Sequence, residues 1–201
     1  MNNKKENNQT NQTLVEKVLN GNSNAFSTIM KNTEGLVAQI IFKMIPNSED
    51  RRDIAQDVYF KTFQKLGSFK FQSKLSTWVG QIAYNTCLNY LEKKKLILLD
   101  NNNDSLEDEA LEILNNKIDP FNNETEKLIF KKELSKILKT EIDNLSPLYK
   151  TLITLYHNEE LSYLEIAQIT ELPEGTVKNY LFRARKTLRE NLLLTYKKEA
   201  L

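Results

Sequence analysis

The chain has 201 residues, 40% of them apolar, with 28 Lys and Arg against 27 Asp and Glu for a formal net charge of +1. That content can pack one domain or two small ones, while five glycines and four prolines leave little turn chemistry for a sheet-rich fold. The longest apolar runs, such as 36-LVAQIIFKMI-45, are too short to span a membrane, no hydrophobic signal segment opens the chain, and the single Cys87 excludes an internal disulfide. The composition therefore reads as an all-α, cytoplasmic protein with Cys87 as a small buried hydrophobe.

Helical periodicity begins around Leu14, Val15, Val18 and Leu19, and Ser23 offers a cap for a helix carrying Ala25, Phe26, Ile29 and Met30. A third apolar stretch, Leu36 to Ile45, stops at Pro46. Asp50 to Leu66 is amphipathic, and Gly67 breaks it. After the loop SFKFQSKLS, Thr77 can cap a helix through Trp78, Ile82, Ala83 and Leu88 into the lysines at 93–95. Trp78 lies in phase with Ile82, which favours a core role.

The charge is unevenly placed. Residues 1–95 carry a net +6, residues 96–126 a net −8 and residues 127–201 a net +3. The acidic, Asn-rich middle reads as a tether with at most one weak helix, so the predicted architecture is two helical units on a linker. Its segments are 10–96, 97–126 and 127–195. Near-neutral charge overall says nothing against a polyanionic partner when two basic blocks flank an acidic strip.

Past the tether a helix is predicted around Leu128–Ile142, and Ser146-Pro147 starts another as a cap followed by a first-turn proline. Ser162 and Glu165 have capping-box spacing, so a helix begins at Tyr163. LPEG then turns the chain, and Thr176 begins the last helix. Ala167 and Val177 sit ten apart, the spacing of a helix-turn-helix whose second helix crosses closely over a small residue.

At about 100° per residue, Val177, Leu181, Ala184, Leu188 and Leu192 form one stripe of that last helix. Lys178, Asn179, Phe182, Arg185, Lys186 and Arg189 spread over the opposite side, with Arg183 at its edge. An apolar ring among bases costs free energy in water but suits a thymine methyl in a major groove, where Lys178, Asn179 and Arg183 reach bases or phosphates. A merely Arg-rich surface helix is the bland reading; cap, turn and face together favour DNA.

LSYLEIAQITELPEGTVKNYLFRARKTLRE resembles the region-4 helix-turn-helix of the sigma-70 family, in its small extracytoplasmic-function group. DRRDIAQDVYFKTFQKLGSF and KLSTWVGQIAYNTCLNYLEKKK resemble regions 2.2 and 2.3–2.4 of the same group. The resemblance covers about 23–95 and 130–190, in the family's order. It implies a non-enzymatic promoter-specificity subunit without metal or cofactor. Its partners would be core RNA polymerase, promoter DNA and an anti-sigma factor, the last of which can hold a cytoplasmic, nucleoid-associated relative at the membrane.

The resemblance also implies residue roles. Asp53, Gln56, Asp57 and Phe60, on one helical face at i, i+3, i+4 and i+7, correspond to the face that docks on the largest polymerase subunit; the plain alternative puts Phe60 in the core. Phe69, Lys70, Phe71 and Lys74 in the loop, Asn85 on the helix and Lys93 and Lys94 beyond it correspond to the minus-10 strand contacts. Thr176, Lys178, Asn179, Phe182, Arg183, Arg185 and Lys186 correspond to the minus-35 reader.

Asn89 stands where the family usually has Asp, and Glu92 where it usually has Arg, which removes a phosphate contact or an intrahelical pair. Asn179 and Tyr180 also depart from common choices, so a minus-35 preference does not transfer. In the family the inter-region segment threads polymerase channels otherwise filled by RNA. The acidic strip can mimic nucleic acid there, although solubility explains it equally well.

Two rivals are legible. An enzyme would need more than His157, the only histidine, and the phosphate-cradling and nucleophile-elbow motifs are absent from the sequence. A two-domain helix-turn-helix regulator would bind duplex DNA without polymerase.

Overall fold

The computed structural model describes residues 2–101 and 124–199. Its helices are α1 (Asn2–Leu19), α2 (Ser23–Met44), α3 (Ser48–Lys65), α4 (Leu75–Asn101), α5 (Glu124–Asp143), α6 (Pro147–His157), α7 (Tyr163–Thr170) and α8 (Glu174–Glu199), with one 3-10 turn at Leu66–Ser68. No strand occurs among the described residues. None of the described helices is long and apolar enough to cross a membrane. Most of the acidic tether lies outside the described residues.

Local chemistry explains the element ends, including those that differ from the sequence reading. The first cap of α2 is Asn22, not Ser23: its side-chain oxygen accepts from the Ala25 N–H at 3.2 Å, a role in which Asn equals Ser. The two apolar stretches expected on either side of Gly35 are one helix, because Ala25, Ile29, Leu36, Val37, Ile40, Ile41 and Met44 keep a single buried phase through it. Asn47 caps α3, whose first turn holds Glu49 and Asp50 and whose last holds Lys65, each charge opposing the helix dipole. The first turn of α4 closes from the Trp78 N–H to the Lys74 carbonyl at 3.1 Å, so Thr77 is a buried residue inside the helix rather than its cap. The N–H groups of Thr176 and Val177 both donate to the Pro173 carbonyl, so α8 starts before Thr176. At its other end the chain turns helical upstream of the periodic residues, from Asn2.

Helices α1–α4 form one lobe and α5–α8 another. The first lobe centres on Ile40, Val58, Val79, Ala83 and Cys87, all essentially inaccessible to water. The second centres on Leu152, Leu155, Ile166, Val177, Leu181 and Ala184. Buried threonines do not break this packing, since Thr33, Thr62, Thr151 and Thr170 each donate to the carbonyl four residues earlier. No described buried side-chain N or O lacks a partner.

The tethered-unit expectation is modified in one respect: the two lobes are docked. Helix α4 packs on α7 and α2 on α6, so the buried residues form one continuous cluster. At the seam, Gly80 lies so close to Ile169 that an added Cβ would stand 3.2 Å from its Cδ1. Lys43 of α2 reaches Asp143 of α5 at 2.6 Å on the same boundary.

Candidate nucleic-acid interface

Helices α7 and α8 are set by strong local signals. Ser162 accepts from the Glu165 N–H, while the Glu165 carboxylate accepts from the Ser162 N–H at 2.9 Å and from its hydroxyl at 2.7 Å, closing both halves of the capping box. Helix α7 ends at Glu171, which takes a left-handed conformation (φ 56°) and turns the chain toward α8. Val177, Leu181 and Ala184 are fully buried, and the stripe clamps α8 onto its lobe.

The opposite face stays wet. Phe182 is 66% exposed although both Leu181 and Ala184 beside it are sealed. Asn179, Arg183 and Lys186 are exposed around it, and Thr176 is half-buried in the first turn. Lys178 is exposed and pairs with Glu174 at 2.8 Å; hydrogen bonding to that carboxylate pushes the ammonium pKa up. Arg185 is drawn aside: its guanidinium sits 4.9 Å from the Tyr156 ring centre, and its Nε donates to His157 Nε2 at 3.4 Å. Burial first, and the neighbouring Arg185 charge second, hold the His157 imidazole below its ordinary pKa.

The second set of residues centres on α4 and the loop before it. Phe69 is buried, its ring 4.7 Å from Phe71 and 5.1 Å from Trp78. Its buried ring also forms part of the wall of the cavity beside Trp78. Phe71 is half-buried with a left-handed backbone (φ 57°), and Lys70 is exposed. Trp78, expected in the core, is only half-buried and lines a cavity of about 420 Å³ with Lys70, Thr77 and Gln81. Lys74 is exposed but pairs with Glu165 at 2.7 Å. Asn85 donates to Glu171 Oε1 at 3.2 Å. Lys93 is exposed. Lys94 folds back to donate to the Tyr90 hydroxyl at 3.2 Å, a contact that raises its pKa, and lies 3.6 Å from Asp50, which itself accepts from Tyr90.

On α3, Ile54, Val58 and Thr62 are buried and Asp53, Gln56, Asp57 and Phe60 are all exposed. Phe60 is 62% exposed, so the alternative that placed it in the core fails. Four groups able to meet a partner therefore share one uncovered stripe.

Sequence reasoning missed Gln81, Glu165 as an inter-lobe partner, Glu171 and Phe42. Phe42 is 56% exposed with the Arg51 guanidinium 4.6 Å from its ring centre. Its signal was available, since it falls out of phase with buried Ile40, Ile41 and Met44, as Phe182 does on α8. The role of Glu171 had no such signal, because its partners lie 86 and 90 residues away.

Comparison with known proteins agrees with this arrangement. The Sigma-70 region 2 family matches residues 29–97, and the Sigma-70, region 4 family matches residues 135–188. The ECF RNA polymerase sigma-E factor of Escherichia coli strain K12 is 34% identical over 179 residues, 89% of this chain and 92% of its own. The chain belongs to the ECF sigma factors. The ECF RNA polymerase sigma factor SigW of Bacillus subtilis strain 168 is 30% identical over 181 residues, covering 89% and 94% of the two chains.

Solved structures share the fold of this ECF sigma factor. Bartonella quintana RpoE, in complex with the anti-sigma factor NepR, superposes with a TM-score of 0.62 at 22% identity, covering 83% of this chain and 96% of its own. CnrH, in complex with the cytosolic domain of CnrY, gives 0.60 at 17% identity over 91% and 97%. As an ECF sigma factor the chain binds core RNA polymerase and directs it to promoters through minus-10 and minus-35 elements.

Proposed function

We propose that three surfaces of this sigma factor divide the work of promoter selection. The exposed face of α8, with Lys178, Asn179, Phe182 and Arg183 at its centre, enters the major groove of the minus-35 element. Thr176 and Lys186 flank that centre and are assigned to phosphates, and Arg185 joins only by leaving Tyr156. Lys70, Phe71, Lys74, Asn85 and Lys93 receive the unstacked minus-10 strand, with Phe69 as the wall behind them and Lys94 recruited from Tyr90. Asp53, Gln56, Asp57 and Phe60 of α3 dock on core polymerase.

The observation that carries this reading is the solvent exposure of Phe182 beside the buried Leu181 and Ala184. A ring kept in water among cations gains nothing for the fold, whereas a thymine methyl would cover it. Each minus-10 base captured on an aromatic contributes about 1–3 kcal/mol, which offsets strand separation. The bond-making chemistry belongs to polymerase, so the sigma factor itself is not an enzyme. Working on polymerase places it in the cytoplasm at the nucleoid. The structural relatives caught with NepR and CnrY make an anti-sigma partner the expected brake here too.

Transcription with purified core enzyme tests the assignment. Run-off transcripts should require this chain. Asp53→Ala with Gln56→Ala should remove core binding and leave the circular dichroism spectrum unchanged. Unchanged core affinity of that double variant refutes the α3 face, and specific promoter binding without polymerase would favour the stand-alone regulator.

A further inference from the structure

One cation of α8 is gripped by other helices of its own lobe. Tyr156 and His157 end α6, and Tyr163 begins α7. The rings of Tyr156 and Tyr163 stack with centres 5.0 Å apart and an interplanar angle of 14°, and their hydroxyls lie 3.4 Å apart. Arg185 sits over the Tyr156 ring at 4.9 Å, and its Nε donates to His157 Nε2 at 3.4 Å. Lys178 sits over the Tyr163 ring at 5.4 Å. The two cations differ in freedom. Lys178 is exposed, whereas Arg185 is half-buried although Arg183 and Lys186 near it are exposed. A guanidinium stacked on a ring and bonded through Nε has lost the freedom to reach across a groove.

We infer that His157, backed by the Tyr156 ring, is a positioning residue of the minus-35 reader, holding Arg185 off the groove and leaving the reading centre to Lys178, Asn179, Phe182 and Arg183. This rests on the assignment of α8 to the minus-35 element. The grip has one weak point. His157 takes the Arg185 bond on the lone pair of Nε2, whereas an imidazolium carries N–H groups on both nitrogens and cannot accept. Protonation replaces the hydrogen bond with repulsion between two cations and frees Arg185 for a backbone phosphate. Arg185 of α8 is the charged group that acts on His157. Its own helix adds the Tyr156 ring, set edge-on at 4.9 Å, and α7 adds Tyr163 behind that ring. Lys43 of α2, Arg51 of α3 and Asp143 of α5 act instead on Lys150, about two turns earlier in α6. The carboxylates of Glu159 and Glu160 follow in the loop, yet burial and Arg185 prevail and keep the imidazole below its ordinary 6.5. The restraint therefore holds at neutral pH and is lost as pH falls below 6.5 through the folded value.

His157 is exposed, so replacing it leaves the core of the lobe intact. Holoenzyme is titrated onto a minus-35 duplex carrying a pH-insensitive dye and followed by anisotropy, from about pH 7.5 down to about pH 5, with Arg185→Ala as the reference at each pH. A restraint as strong as one ordinary hydrogen bond changes the fraction of chains with Arg185 free about fivefold. Wild type should therefore gain about fivefold in affinity over Arg185→Ala as pH falls. His157→Ala, which has no acceptor, should show the tighter binding already at neutral pH and no further gain. His157→Gln keeps a neutral acceptor near the place of Nε2 and should hold the neutral-pH affinity of wild type throughout. An equal pH response of wild type and Arg185→Ala, or a neutral-pH affinity of His157→Ala no higher than that of wild type, overturns the inference. Phe182→Ala and Asn179→Ala separate the two readings. If both leave minus-35 affinity unchanged, α8 is not the reader and the positioning role falls with it. If they weaken binding while His157→Ala matches wild type, the positioning role alone is refuted.

Discussion

Leu181 and Phe182 are neighbours in sequence with opposite surroundings, and truncating each should separate fold from function. Leu181 is fully buried on the packed face of α8. Leu181→Ala leaves a cavity and should cost about 2–5 kcal/mol. For a chain of this length each kcal/mol lowers Tm by about 2–4 °C, so a mid-range loss of about 3 kcal/mol predicts a drop of about 6–12 °C. Phe182 is 66% exposed, so Phe182→Ala removes little packing, and Ala is the better helix former. Its stability should change by less than about 0.5 kcal/mol. Burying a whole phenylalanine side chain contributes about 1.5–3 kcal/mol, and two-thirds of that is about 1–2 kcal/mol, or a 5- to 30-fold loss of promoter affinity. Thermal melts give the first quantity. Fluorescence anisotropy of holoenzyme on a labelled minus-35 duplex gives the second, taken well below the melting point so that Leu181→Ala still binds. Equal Tm losses for the two variants, or full minus-35 affinity after Phe182→Ala, would refute the division of α8 into a packing stripe and a reading face.

Further outcomes follow from the same geometry. Lys178→Ala and Arg183→Ala should each reduce the slope of log affinity against log salt by about 0.9 if each neutralises one phosphate, measured by anisotropy from low to moderate salt. Cys87 is sealed, and burial pushes its thiol from 9.0 up to about 12, so iodoacetamide at pH 8 should leave the folded chain unmodified and alkylate it in denaturant. Because the unfolded thiol ionises first, the Cys87 contribution to stability is intact below about pH 9 and declines from there toward 12, a decline absent in Cys87→Ala when urea unfolding is followed against pH. Burial raises the Glu165 carboxyl pKa, but hydrogen bonds from Lys74 and Ser162 outweigh it and leave the group below its usual 4.5. Its stabilisation is therefore present above pH 4.5 and lost as pH falls through the lower folded value. Glu165→Gln keeps the cap acceptor and should lose under about 1 kcal/mol in urea melts, whereas Glu165→Ala loses the cap as well and should cost about 1 kcal/mol more.

What the sequence by itself determined were the features written in short-range chemistry. Apolar phase, Pro46, Ser146-Pro147 and the Ser162–Glu165 box place most helices, since caps and helical faces depend on residues within one or two turns. The same periodicity put Leu181 inside and Phe182 outside before any neighbour was known. Boundaries slipped where two adjacent residues could serve, as with Asn22 and Ser23, or where a hydroxyl such as Thr77 was consumed by burial. Only the tertiary structure decided that Phe69 supports Phe71 and Trp78 from within, and that Phe60 faces solvent. It alone joined Glu171 to Gln81 and Asn85, and Gly80 to Ile169. Those contacts bridge about ninety residues of chain, and no local pattern encodes a partner that far away; shape and charge match only once both lobes are built.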